Sequence, residues 1–220
     1  MQEFNNRLNR FGEWVIRLVS LNFLWIGFTV LGLGVFGIFP ATSAMFSMIR
    51  KWLVGNEDIK IASGFIEFYK KDFMKSNLLG YIFVIFAIII WIDYRWISSN
   101  VSLGMFALGY FMLIVLVFAL LSFIVLFPIY SHYQLSIIQY MKNAIFFPLA
   151  NVLTMVVLGA ALFMIQLLFS QIPGILLFVG VSFPAYVTMK IILPVFQGKP
   201  LSINGFFKIF RKSNEERMYY

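Results

Sequence analysis

The chain of 220 residues contains no cysteine and a single histidine, His132. The lack of cysteine excludes disulfides, thiol nucleophiles and cysteine-ligated zinc or iron–sulfur sites, and one histidine cannot form a histidine metal cluster. The sequence also lacks a Walker loop, an HExxH motif and paired carboxylates at a useful spacing. We therefore predict that the protein is not an enzyme and that it holds no cofactor and no metal.

Charged residues are scarce and hydrophobic residues dominate. Charged residues make up 12% of the chain and hydrophobic residues 61%. Soluble domains contain about 25% charged and about 45–50% apolar residues. The uncharged apolar run 18–39 is long enough to cross the roughly 30 Å hydrocarbon core of a bilayer as a helix. Because backbone groups in lipid must be paired internally, we predict an all-α, polytopic transmembrane helical bundle with the lipid bilayer as its surroundings.

Five apolar segments predict about five spans within a single membrane domain, 1–220. They lie near 18–39, 77–92, 103–130, 144–169 and 172–196. Two stretches that combine aromatic and basic residues, near 60–75 and 201–212, predict amphipathic helices at the membrane surface. Anchoring in the interface and docking of a partner both explain such stretches. Their candidate interface or docking residues are Phe65, Tyr69, Lys70, Lys71, Phe206, Phe207, Arg211 and Lys212.

The net charge of +8 indicates basic loops that face anionic lipid, not nucleic acid. An N-terminus outside the cell places most of the 17 Lys and Arg residues inside, which favours that orientation. However, the run 18–39 has basic residues on both flanks. A first segment bent at Gly32, Gly34 and Gly37, with both flanks on one side, therefore stays open as the alternative.

The ends of two predicted spans resemble each other. Both 39–55 and 183–198 begin with Phe-Pro-Ala and end at glycine, and each is followed by a Gly-Phe block, at 63–72 and 204–213. This order predicts an internal repeat of the kind found in transporters, with coincidence in a Phe-rich chain as the alternative. Proline inside a helix removes one backbone hydrogen bond, so three prolines are candidate kinks: Pro40, Pro128 and Pro184.

Polar side chains within a span are costly and are therefore candidates for function. Interhelical hydrogen bonding and snorkelling of lysine toward the headgroups are the structural alternatives. Six side chains within or beside the predicted spans form this group: Asn22, His132, Gln134, Asn151, Gln166 and Lys190.

Four blocks of the sequence resemble the YesL-like family of bacterial integral membrane proteins, a domain of unknown function. They are Phe11-Gly12-Glu13-Trp14, Phe39-Pro40-Ala41-Thr42, Arg50-Lys51-Trp52-Leu53 and Lys75-Ser76-Asn77-Leu78-Leu79-Gly80. The resemblance implies a multi-pass protein of the bacterial cytoplasmic membrane. It also implies a gene that lies beside sugar-uptake ABC transporters and enzymes that degrade plant polysaccharides. No functional residue of the family is established that could be carried over to this chain.

Two hypotheses of function follow. The first is an accessory to carbohydrate uptake or polysaccharide utilisation, which contacts sugar ABC permease subunits through its helices and surface segments. The alternative is a solute transporter or channel, acting as an oligomer. A polar cavity between the spans, lined by residues such as Asn151, Gln166 and Lys190, would favour the alternative.

Overall fold

The computed structural model describes residues 2–98 and 103–198, and every regular element in these two ranges is a helix. The predicted surface helix 201–212, with Phe206, Phe207, Arg211 and Lys212, lies outside the described residues. The helices in chain order are α1 (Gln2–Leu31), α2 (Ile38–Leu53), α3 (Ile61–Ser98), α4 (Leu103–His132), α5 (Ile137–Ala150), α6 (Val152–Gln171), α7 (Ile175–Val179) and α8 (Ser182–Phe196).

Four helical segments are long and apolar enough to cross a membrane: Gly12–Leu31, Ile61–Ile97, Ala107–His132 and Val152–Gln171. The shorter helix Ser182–Phe196 is also apolar. Many large hydrophobic side chains on these helices are exposed, as expected for surfaces that face lipid. The predicted all-α membrane bundle of about five spans is therefore confirmed.

The first apolar run, 18–39, is not one helix. Helix α1 ends at Leu31, and α2 begins at Ile38 and runs back along it. Trp25 Nε1 donates to Thr42 Oγ1 at 3.0 Å near the turn. At the open end, Arg17 Nη1 lies 2.9 Å from Glu57 Oε2. The two flanks of the hairpin therefore lie at the same end of the molecule. The structure replaces the single straight helix predicted over 18–39 with a hairpin, as in the bent alternative.

The turn between α1 and α2 requires glycine. A Cβ on Gly37 would collide with the backbone of Phe28 and Thr29, and Gly34 adopts a φ of +73°. Side chains of α3 bind the carbonyls that the turn leaves unpaired. Asn77 Nδ2 donates to Phe36 O at 3.0 Å, and Tyr81 Oη donates to Val35 O at 2.9 Å. These bonds hold the turn against α3.

Helix α2 forms the centre of the core, and most of its residues are buried, including Trp52. Pro40 is its third residue, and Pro184 is the third residue of α8. The first turn of a helix tolerates proline because its N–H groups have no intrahelical partner. These two prolines begin helices and do not kink them, which corrects the prediction. Pro128 lies inside α4, close to its end.

The predicted repeat has a structural counterpart in α2 and α8. Each helix starts one residue before its Phe-Pro pair and is followed by a glycine with positive φ, +102° at Gly55 and +73° at Gly198. The two helices also pack against each other. The two copies therefore share their helix boundaries as well as their sequence.

Helix α3 runs without interruption through both the predicted surface helix 60–75 and the predicted span 77–92. Its aromatic face does not meet lipid, because Phe65 is fully buried and Tyr69 is 9% exposed within the core. The Tyr69 hydroxyl donates to Phe28 O at 3.2 Å. The expectation that this face anchors the segment in the interface, or docks a partner, is therefore wrong. Lys70 and Lys71 are exposed.

The later helices surround α2 and α3. Helix α4 is antiparallel to α3, since Tyr130 contacts Asp72 and Phe123 contacts Phe83 further along. Helix α8 begins beside α1 and ends beside α4 and α5, where the Phe196 ring lies 5.5 Å from Phe147. Helix α6 packs alongside α8. The ends of α2, α4 and α8 therefore lie near one another.

Candidate functional site

Most basic residues of the described chain lie at one end of the bundle, which we call the basic end. The Arg17–Glu57 ion pair joins the start of α1 to the loop after α2. Arg50 Nε donates to His132 Nδ1 at 3.1 Å and joins the ends of α2 and α4. Arg95 lies near the opposite end of α3. The basic end comprises Arg17, Arg50, Lys51, Lys60, Lys70, Lys71, Lys75, Lys142 and Lys190.

An aromatic cluster surrounds the Arg50–His132 pair. The His132 ring lies 4.9 Å from the Phe196 ring and 4.6 Å from the Tyr133 ring, measured between centroids. Because its Nδ1 accepts the hydrogen bond from Arg50, His132 keeps its proton on Nε2. The predicted candidate His132 therefore joins α2, α4 and α8 at the basic end.

A second polar group connects α3, α4 and α5. Tyr130 Oη donates to Asp72 Oδ1 at 3.0 Å, and the Tyr130 ring packs 4.9 Å from the Tyr140 ring. The Tyr140 hydroxyl donates to Tyr133 O at 2.6 Å and accepts a hydrogen bond from Leu135 N. Burial raises the pKa of Tyr140, so this hydroxyl stays protonated and keeps donating. Asp72 itself accepts its hydrogen bond from Tyr130, whose ring packs on that of Tyr140.

Asn22, another predicted candidate, is fully buried and joins α1 to the start of α8. Its Oδ1 accepts hydrogen bonds from the backbone N–H groups of Val181 and Ser182, at 3.0 and 3.1 Å. Its Nδ2 donates to Leu177 O at 2.9 Å. All three bonds are to backbone, so Asn22 caps α8 from a distant part of the sequence. This geometry matches the interhelical hydrogen bonding considered for polar residues in spans.

The four remaining polar candidates do not meet each other. Asn151 Nδ2 donates to Phe147 O, one turn earlier in the chain, at 3.1 Å. Gln166 is exposed on α6, and Gln134 is exposed between α4 and α5. Lys190 Nζ lies 5.6 Å from the centroid of the Tyr186 ring at the basic end. Of the six predicted candidates, His132 and Lys190 have partners at this end, and Gln134 lies exposed in the loop after α4.

A cavity of ≈ 250 Å³ opens between α3, α4 and α5. Its walls are aliphatic and aromatic, with Ile82 and Phe86 of α3 facing Met141 and Ile145 of α5. The polar side chain among the lining residues is Ser122, and its hydroxyl donates to Phe118 O in its own helix at 2.9 Å. The surface that a ligand would meet in this cavity is therefore apolar.

Sequence reasoning missed Asp72 and the tryptophan cluster of the basic end. Asp72 follows Phe65 and Tyr69 at spacings of seven and three, so helical periodicity places it on the buried face of α3. That signal was present in the sequence. Trp14 packs 6.1 Å from Trp52 and 5.0 Å from Tyr186, between ring centroids. No local pattern joins three residues so far apart in the chain.

Comparison with known proteins gives a consistent result. Residues 18–94 match a family model described as "Protein of unknown function, DUF624". The chain is 36% identical over 200 residues to the uncharacterised protein YteU of Bacillus subtilis, which covers 86% of this chain and 85% of YteU. It is 35% identical to YesV of the same organism, over 84% of this chain and 89% of YesV. It is also 35% identical to YesL of that organism, over 80% of this chain and 83% of YesL. No solved structure matches the chain.

Proposed function

This chain belongs to the YesL-like family, DUF624, and from that premise we propose that it is a non-enzymatic accessory to carbohydrate uptake. It sits in the bacterial cytoplasmic membrane with its basic end in the cytoplasm, where it contacts a sugar ABC permease subunit. The family resemblance supplies the expected partner. The charge distribution supports the orientation, because cytoplasmic segments carry the excess of Lys and Arg.

The observation that carries the docking role is the way α3 uses its two faces. Its aromatic face is occupied by the core, since Phe65 and Tyr69 pack against α1. An amphipathic helix binds a membrane surface through its apolar face. Because that face of α3 is buried in the core, the opposite face is not needed to orient the helix on a membrane. This outer face is exposed along four turns and consists of Lys60, Ser63, Glu67, Lys70 and Met74.

Met74 gives this outer face an apolar end. Its side chain is 79% exposed, with Lys70 and Lys71 on one side and exposed Leu78 on the other. Protein interfaces combine an apolar anchor with a polar rim, and methionine adapts well to a partner surface. The outer face of α3 thus has the composition of a small docking site.

The transporter alternative is less well supported. It expects Asn151, Gln166 and Lys190 to share a polar cavity, and none of these residues lines the cavity between α3, α4 and α5. Asn151 and Lys190 are engaged at separate places, and Gln166 is exposed. The arrangement of the described residues therefore favours an accessory role.

Site-specific cross-linking tests the proposal directly, because the chain has no native thiol. We expect the variant Met74→Cys, carrying a thiol-attached photo-cross-linker, to capture a sugar permease subunit in membranes of cells grown on polysaccharide. The additional substitution Lys70→Glu should reduce the captured amount several-fold, because it reverses a charge beside the anchor.

The matched control is Met164→Cys, a methionine on α6 with 64% exposure. It reports proximity that arises only from crowding in the membrane. Capture of the same subunit by both positions at equal yield, or capture of no permease subunit from Met74, would contradict the proposal. Normal sugar uptake after deletion of the gene would contradict it as well.

A further inference from the structure

Three exposed lysines lie within two residues or one turn of Asp72 on α3 and Tyr140 on α5: Lys71, Lys75 and Lys142. Tyr130 of α4 contacts Asp72 of α3 through its hydroxyl and Tyr140 of α5 through its ring. The turns that carry these two partners therefore both lie beside Tyr130. Lys71 and Lys75 flank Asp72 on α3, and Lys142 follows Tyr140 on α5, and all three side chains are exposed.

The lysines of α3 share a helical stripe with the cavity wall. Ile82 and Phe86 come seven and eleven residues after Lys75. All three side chains therefore project from nearly the same side of the helix. At 1.5 Å per residue, Ile82 is about 10 Å and Phe86 about 16 Å above Lys75. A molecule with an anionic head at Lys75 could therefore extend an apolar chain into the cavity.

The pattern of charge along α3 places this stripe at the edge of a membrane. Lys75 is the last charged residue before the uncharged stretch 76–92, which is about 25 Å long as a helix. That length approaches the roughly 30 Å of a hydrocarbon core. We take Lys75 as the headgroup depth of α3, which places the cavity beside the acyl chains.

We propose that the cleft between α3, α4 and α5 is a specific site for one anionic phospholipid of the surrounding bilayer. One acyl chain fills the cavity between Ile82, Phe86, Met141 and Ile145, and the phosphate headgroup lies against Lys71, Lys75 and Lys142. Cationic residues on two different helices thus face one headgroup, while the apolar walls exclude polar ligands. This site borders the docking surface on α3: Lys75 projects about 140° around the helix from Lys70, and Lys71 lies between the two surfaces.

Quenching of a fluorescent label by brominated lipid tests the site. The variants Ile145→Cys and Phe86→Cys each place a bimane label on the cavity wall, at positions that are 39% and 49% exposed. The labelled protein is reconstituted in phosphatidylcholine vesicles that contain brominated phosphatidylglycerol or brominated phosphatidylcholine. We expect half-maximal quenching at a mole fraction of phosphatidylglycerol at least about fivefold lower than that of phosphatidylcholine. Removal of any one lysine should weaken this preference, because all three attract the same headgroup.

The triple variant Lys71→Gln, Lys75→Gln, Lys142→Gln should abolish the preference, whereas Lys70→Gln should leave it unchanged. A label at Ile114, which is 67% exposed on α4 outside the cavity, reports bulk lipid and should show no preference. Equal quenching by both lipids at Ile145 and Phe86 would overturn the proposal. So would a preference that survives the triple variant or one that is equally strong at Ile114.

Discussion

Replacing Asn22 by alanine removes one buried side chain and with it three hydrogen bonds to the segment that begins α8. The N–H groups of Val181 and Ser182 lie at the N-terminus of that helix, where no intrahelical carbonyl is in reach. No side chain of the helix itself caps them. The substitution therefore leaves two donors and the Leu177 carbonyl without these partners in the interior.

The size of the effect follows from these three bonds. An intramolecular hydrogen bond contributes about 1 kcal/mol to stability, and side-chain bonds between membrane helices average about 0.6 kcal/mol. Loss of the three should therefore cost about 2–3 kcal/mol. For a chain of this size, 1 kcal/mol corresponds to about 2–4 °C in Tm, so Asn22→Ala should unfold about 4–12 °C earlier.

The measurement is thermal unfolding of the detergent-solubilised protein, followed by the intrinsic fluorescence of its 5 tryptophans. Asn151→Ala is the matched control, because Asn151 makes a single hydrogen bond to the carbonyl of Phe147 one turn earlier. We expect a shift below about 4 °C for this control, from the loss of about 1 kcal/mol. If Asn22→Ala and Asn151→Ala unfolded at the same temperature, the bonds of Asn22 would not hold α8 in the way described.

Two further predictions concern the hairpin and the packing of α3. Single cysteines at Glu13 and Asn56 should react with a membrane-impermeant thiol reagent added on the same side of the membrane. A cysteine at Asp93 should react only from the opposite side. Labelling of Glu13 and Asn56 from different sides would refute the hairpin. Gly80→Ala should lower the free energy of unfolding by about 1–3 kcal/mol, because the added Cβ meets an aromatic ring of α2. Gly159→Ala meets open space and is the control, so equal Tm values for the two variants would contradict this packing.

Composition and hydrophobic runs were sufficient to predict the all-α membrane bundle, because few other folds tolerate so little charge. The same runs could not distinguish one crossing from a hairpin at 18–39. Glycines such as Gly34 and Gly37 are common in straight membrane helices, so their presence does not by itself indicate a turn. The contacts with α3 at Asn77 and Tyr81, which no local pattern reports, help to fix the turn there.

The amphipathic pattern of 60–75 was identified correctly, but the surroundings of its aromatic face were not. Lipid and protein interior are both apolar, so a row that contains Phe65 and Tyr69 satisfies either environment. The partners of the polar candidate residues could not be predicted from the sequence either. The partners of Asn22 lie more than 150 residues away in the sequence, and no local periodicity reports such a contact.

Helix α3 also has a mechanical consequence. Its 38 residues form one continuous rod with no proline inside it, about 57 Å long at 1.5 Å per residue. One end carries the docking surface, and the other extends across the bilayer depth. A tilt of about 5° at the docked end would displace the far end by about 5 Å. Such a lever would transmit the arrival of a partner across the whole thickness of the membrane without any change within the helix.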